Sequence, residues 1–176
     1  MKTKVFALVL GLITISTFAQ KNELKTADKA IKIQDYSAAM TAVTAAESLL
    51  SKMDDKSKAK FYFLKAQAYF GKKDYQTAAN TFEKLFSLED QIGKKRYTEL
   101  ARTIQSKMVQ EVYQQASDQY VAKDYKNASD SFYLTYVLSP LDSIFIYNAA
   151  VSSSLALDYD NSLKYYKELK DIGYTG

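Results

Sequence analysis

The sequence has no cysteine, no histidine and no tryptophan, and only one proline and five glycines in 176 residues. Each absence excludes chemistry. No disulfide framework, thiolate or imidazole metal site or thiol nucleophile can be built, so general acid and base work would fall to carboxylates, lysine or tyrosine. With so few glycines there is no phosphate-cradling loop. Scarce helix breakers, with Pro140 alone, favour long uninterrupted helices. What is abundant is aromatic: 15 tyrosines and 9 phenylalanines in a chain that is 47% apolar and 25% charged. These counts predict an all-α protein that is not an enzyme and holds no cofactor or metal.

The first residues read as an address. Lys2 and Lys4 precede a largely apolar run from Val5 to Ile15, and Thr17 and Ala19 set small residues three and one positions before Gln20. This pattern predicts a signal peptide over residues 1–19, cleaved after Ala19, and hence export, to the periplasm first and secretion as the alternative. The run is shorter than the roughly 20 apolar residues that cross a bilayer, and no later segment is longer, so no integral span is expected in the mature chain. No cysteine follows it to take a lipid. Without Lys2 and Lys4 the excess of basic over acidic groups falls from four to two. The densest basic positions, Lys58, Lys60, Lys72, Lys73, Lys94, Lys95 and Arg96, are interleaved with acids and read as solvated helix faces. No nucleic-acid partner is expected.

The rest of the chain repeats. Asp-Tyr occurs at Asp35-Tyr36, Asp74-Tyr75, Asp124-Tyr125 and Asp158-Tyr159, where composition predicts about one occurrence. The neighbours repeat with it. Eight residues before each Asp stands Ala27, Ala66, Ala116 or Ala150; four after it stands Ala39, Ala78, Ala128 or Ser162; eight after it stands Val43, Phe82, Phe132 or Tyr166. Small residues on two facing helices allow close approach, and the large residue one turn further along fills the space above. Asp at the junction caps the second helix and Tyr covers the turn. Each hairpin leaves an apolar face open, so hairpins must stack.

Ala66-Gln67-Ala68-Tyr69-Phe70 followed by Asp74-Tyr75-Gln76-Thr77-Ala78 and Phe82 resembles the tetratricopeptide repeat of bacterial exported proteins. Leu138-Ser139-Pro140 matches the closing proline of that pattern, and the third and fourth aspartates are one 34-residue period apart. The resemblance covers nearly all of the chain after residue 19. It implies a right-handed α-solenoid of about four hairpins over residues 20–52, 57–90, 94–140 and 143–173. The early aromatic of the pattern is met by Tyr62 but becomes Val112, Ile146 and Glu23. The later large residue, Tyr69, becomes Ala30, Gln119 and Ser153, so the first copy departs most. Five extra residues between the first two aspartates predict a loop over residues 53–57. Sixteen before the third predict one long helix over about 94–122, started by Gly93, with apolar residues from Tyr97 to Ala116 at helical spacing.

In solenoids of this kind the first helices form the concave wall. That wall would carry Phe63, Gln67 and Phe70, then Tyr113, Ser117 and Tyr120, then Tyr147, Asn148, Val151 and Ser154. Aromatic and small polar groups in alternation suit a peptide or protein partner. Family members that grip a terminal carboxylate do so with Asn and basic side chains; here Asn148 stands with Leu64 and Gln114 at the matching places, so no clamp is expected. Asp158-Tyr159-Asp160 begins like a calcium loop, but Leu163 replaces the turn glycine and Leu169 the bidentate acid, which leaves a helix start. Asp142 and Ser143 read as a helix cap after Pro140. Leu163, Tyr166, Leu169 and Ile172 form an apolar stripe on the final helix, which predicts a truncated longer chain or a homo-oligomer through the last hairpin. The function expected is a scaffold that binds a protein or peptide. The alternative is the N-terminal repeat region of a larger exported enzyme or envelope-assembly component.

Overall fold

The computed structural model describes residues 21–175, so the expected signal peptide lies outside the described residues. Among the described residues the chain is all-helical, with eight α-helices, one 3-10 turn and no strand. Residues 21–32 are helical and form α1. There follow α2 (Tyr36–Glu47), the 3-10 turn Leu50–Lys52, α3 (Asp55–Gly71), α4 (Tyr75–Gln91), α5 (Thr98–Val121), α6 (Tyr125–Leu138), α7 (Ile144–Leu155) and α8 (Tyr159–Asp171). The chain divides into two compact units, one ending at Thr103 and one beginning at Ile104. None of the described helices is long and apolar enough to cross a membrane.

Four turns share one construction. Gln34, Lys73, Lys123 and Leu157 all sit at positive φ, between 60° and 64°, each immediately before a repeated aspartate. At each, the aspartate N–H donates to the carbonyl five residues back (Ala30, Tyr69, Gln119, Ser153) and the left-handed residue donates to the carbonyl three back. This is the paired closure that satisfies the last carbonyls of a helix, made without glycine. The aspartate then opens the next helix. Asp35, Asp74 and Asp158 accept the backbone N–H of Ala38, Thr77 and Asn161 at 2.9, 3.1 and 3.2 Å. Asp124 departs from the expected cap: its carboxylate takes the Asn127 side-chain amide at 2.7 Å and no backbone N–H.

A left-handed conformation costs a residue bearing a β-carbon about 1–2 kcal/mol, and glycine gives back about 0.5–1 in unfolded-chain entropy. Lys123 is exposed and its side chain has no role in the turn. Lys123→Gly should therefore stabilise the protein by about 0.5–1 kcal/mol, read as a higher urea midpoint at unchanged slope; a lower midpoint would show that the strain is not there.

The notches are closed. Ala27, Ala66, Ala116 and Ala150 on the first helices, and Ala39, Ala78, Ala128 and Ser162 on the second, are all buried. In the first unit Leu24, Ala27, Ala42, Val43, Ala46, Met53, Phe61 and Leu64 form one cluster. Tyr36 lies on α3 so closely that a β-carbon at Gly71 would overlap its ring. In the second unit Ala116, Ala128, Phe132, Ile146, Ala149, Ala150, Tyr165 and Leu169 belong to another cluster. Each Phe, Leu or Ile so buried contributes about 1.5–3 kcal/mol. Small residues also carry polar links there. The Ser129 hydroxyl donates to the Ala149 carbonyl at 2.9 Å and meets Ser153 at 2.6 Å, and Ser154 meets Ser162 at 2.7 Å. One turn further along α6 Tyr133 stacks on Tyr165 at 4.4 Å, with Lys164 above the Tyr133 ring; burial pushes the Tyr165 phenol up to about 12.

Three expectations need correction. The loop expected over residues 53–57 is only Met53 and Asp54, because residues 55–57 already belong to α3: Met53 is buried and Asp54 caps the helix, accepting the Ser57 N–H at 2.7 Å. Bonds from the Ser57 side chain and backbone hold the Asp54 carboxyl below its ordinary pKa. The long helix starts at Thr98, and Gly93, at φ 65°, ends α4 instead of beginning α5. The start is set by Glu89, whose carboxylate accepts the N–H of Tyr97 and Thr98 at 2.9 and 3.0 Å and the Thr98 hydroxyl at 2.8 Å. At 24 residues α5 is about 36 Å long. Finally, of the two residues expected to cap the helix after Pro140, Asp142 does so, accepting the Ile144 N–H at 3.3 Å, and Ser143 makes no side-chain cap.

Candidate functional site

The residues that the sequence pattern assigns to a common wall fall into two groups. In the first unit Phe63 is half-buried and stacks on Tyr97 at 4.8 Å, because the Glu89 contact folds the chain before α5 onto α3. Gln67 turns its amide back to the Phe63 carbonyl at 3.5 Å, and Phe70 packs against Tyr75 with centroids 6.0 Å apart. None of these three lines an open cavity described for this unit. Ser154, in the second unit, is drawn into the link with Ser162 and the Ala150 carbonyl.

The other wall residues come together. Tyr113, Ser117 and Tyr120 of α5 and Tyr147, Asn148 and Val151 of α7 line one groove of about 390 Å³, joined by Val121 and by Phe132 of α6. On α5 the lining residues follow at four, three and one positions, which keeps them on one helical face. The corner after α5 sends α6 back beneath it, and the Ser129 bond to Ala149 fixes α7 against α6, so Phe132 forms the floor.

The tyrosines are anchored at one edge and open at the other. Tyr113 lies 6.0 Å from Phe132 and 5.5 Å from Phe145 between centroids. Tyr120 stands edge-on to Tyr125 at 5.4 Å, and Tyr147 leans on Tyr174 at 5.8 Å. All three remain exposed. An aromatic ring held in this way loses little further entropy when a second surface covers it, which is why Tyr dominates interface energetics. No charged side chain lines the groove. The side chains of Ser117 and Asn148 have no hydrogen-bond partner among the described residues and can fix the register of a ligand backbone. Of the two residues matched with Asn148 in the sequence, Leu64 is buried in the first unit and Gln114 of α5 donates to Asp118 at 2.9 Å.

Val121 and Phe132 were not placed on this wall from the sequence. Val121 had a signal, four residues after Ser117 on the same face. Phe132 had the opposite one, since its column marked it as core filler between paired helices; the groove uses its uncovered edge.

Two other cavities compete less well. One of about 470 Å³ in the first unit is lined by Asp55, Lys56, Ala59, Glu89, Ile92, Lys94 and Arg96. Its buried polar group, Glu89, is already satisfied by Tyr97 and Thr98. A shallower hollow of about 340 Å³ lies beside Tyr147, Tyr166 and Tyr174. Among the described residues no group of three or more acidic side chains is placed to hold a metal ion. No family model, curated protein or solved structure matches the chain.

Proposed function

We propose that the protein is an exported, non-catalytic scaffold built from tetratricopeptide-like hairpins stacked as a right-handed solenoid, and that it holds a segment of a partner protein in the groove between α5 and α7. The observation that carries this reading is the groove itself: three edge-anchored, exposed tyrosines face uncharged polar groups across two first helices related by the repeat. Four corners with the same backbone closure and eight buried notch positions support the repeat assignment. The lining chemistry favours a neutral, largely apolar segment whose backbone meets Ser117 and Asn148. A charged ligand would lose hydration there and gain no counter-charge.

Photo-crosslinking tests it. A benzophenone amino acid at Ser117 or Val151 should trap the same partner protein, and one at Asp130, exposed on α6, should not. Tyr113→Ala combined with Tyr147→Ala should lower that capture at least about tenfold while leaving helicity intact, as expected when two interface anchors each worth about 2 kcal/mol are removed. Equal products from all three crosslinking positions, or capture unmoved by the double substitution, would refute the groove as the binding surface.

A further inference from the structure

We infer that the outward face of α8 is a self-association surface, covered by the same face of a second copy of this chain in antiparallel, two-fold pairing. The repeat supplies an internal standard. Five and eight residues after the corner aspartate, the second hairpin has Ala79 and Phe82 and the third has Ser129 and Phe132, and all four are buried. The corner tyrosine before them is buried at Tyr75 and half-buried at Tyr125. On α8 the same three positions are Tyr159, Leu163 and Tyr166, and they are 68%, 72% and 42% exposed. A face that is covered in the earlier hairpins is open here, although its chemistry is as apolar as theirs.

Ala79 and Ser129 are small where a neighbouring helix must come close, as the Ser129 hydroxyl does in reaching the Ala149 carbonyl. Leu163 is bulkier than either, as Met40 is at the same place in the first hairpin, where it packs against the cluster of Ala30, Ala39 and Ala68. A helix face kept bare in water would instead carry Lys or Glu there. A bulky ridge of Tyr159, Leu163 and Tyr166 suits pairing with another ridge of the same kind, Leu163 beside Leu163.

Charge favours the antiparallel arrangement. Asp160 flanks the ridge at the N-terminal end of α8, and Lys167 flanks it toward the C-terminal end; both are exposed, and neither is in an ion pair among the described residues. Spaced seven residues apart, they fall on one side of the helix. Reversing a second α8 about Leu163 sets Asp160 of each copy against Lys167 of the other, whereas parallel pairing sets like against like. The described surface of α1 is polar, with Lys21, Lys25, Thr26 and Lys29 exposed, and offers no apolar mate for a head-to-tail contact.

Sedimentation of the full chain should show a reversible monomer–dimer equilibrium with a dissociation constant on the order of micromolar, as fits a small interface. Leu163→Glu should raise that constant at least about a hundredfold at unchanged helicity and melting, since the residue is exposed in the monomer. Asp160→Lys should weaken the dimer, and adding Lys167→Asp should restore it. The natural sequence has no thiol, so Leu163→Cys supplies the only one. Oxidation should give a covalent dimer, whereas Gln76→Cys, exposed at the start of α4, should stay monomeric. A chain that stays monomeric well above micromolar concentration, oligomers that grow beyond two, or a dimer indifferent to Leu163→Glu would each overturn the proposal.

Discussion

Glu89→Ala should cost about 3–5 kcal/mol, the largest loss expected from any single substitution in the first unit. Glu89 is fully buried, yet it is a carboxylate on the last turn of α4, where the helix dipole gives it no help. Its position is explained by what it accepts: the N–H of Tyr97 and of Thr98 and the Thr98 hydroxyl, all within 3.1 Å. Removing it leaves three donors without acceptors, at about 1–3 kcal/mol for each that water does not reach, together with a cavity. The N-terminus of α5 also loses the anion that complements its own dipole. Glu89→Gln keeps the volume but turns a donor toward donors, and should fall between, at about 1–3 kcal/mol. Chemical denaturation followed by circular dichroism gives the numbers. Amide exchange gives the place, because protection should be lost first at residues 97–101 and at Phe63, whose ring rests on Tyr97. A loss below about 1 kcal/mol for Glu89→Ala would mean that water reaches those donors.

The same carboxylate explains why the start of the long helix was not legible in the sequence. Local signals in residues 93–97 are a glycine followed by Lys-Lys-Arg-Tyr, with no proline and no side chain of capping type before Thr98. Apolar spacing therefore ran the helix back to 94. The actual boundary is set from eight and nine residues upstream, by an acid that composition alone would have placed on the surface. The corners were legible for the converse reason. Aspartate, tyrosine and the notch alanines act within a few residues of one another, so their geometry is written as spacing. What spacing did not reveal was the left-handed residue before each aspartate, because Gln34, Lys73, Lys123 and Leu157 share no chemistry and none is glycine.

The candidate groove was legible where it depends on helix phase and illegible where it depends on the path between helices. Tyr113, Ser117 and Tyr120 lie together because they share one face of α5, and Tyr147 and Val151 share one face of α7. Phe63 should have behaved in the same way. It does not, because residues 94–97 cross it, and nothing in the alternation of residues on α3 registers a segment that arrives from thirty residues away.

Ala128→Leu should cost about 1–3 kcal/mol and weaken partner capture as well, and the pairing of these two effects is the stronger test. Ala128 is fully buried in a cluster with Ala116, Phe132, Ile146, Ala149 and Ala150. Three more carbon atoms find no space there, so the helices must separate or side chains must leave their rotamers. Separating α5 from α6 moves Tyr113 and Tyr120 away from Phe132, the ring that holds both at their inner edge and floors the groove. Ala78→Leu is the matched control. It enlarges the same repeat position, also fully buried, and should cost a similar amount, but Ala78 belongs to the first unit and is not among the residues that line the groove. Both variants should therefore melt lower, and Ala128→Leu alone should lose crosslinking at Ser117 under conditions where each is fully folded. Melting unchanged in both would mean that the hairpin register is wrong. Equal loss of capture in both would mean that the groove is not the surface that binds.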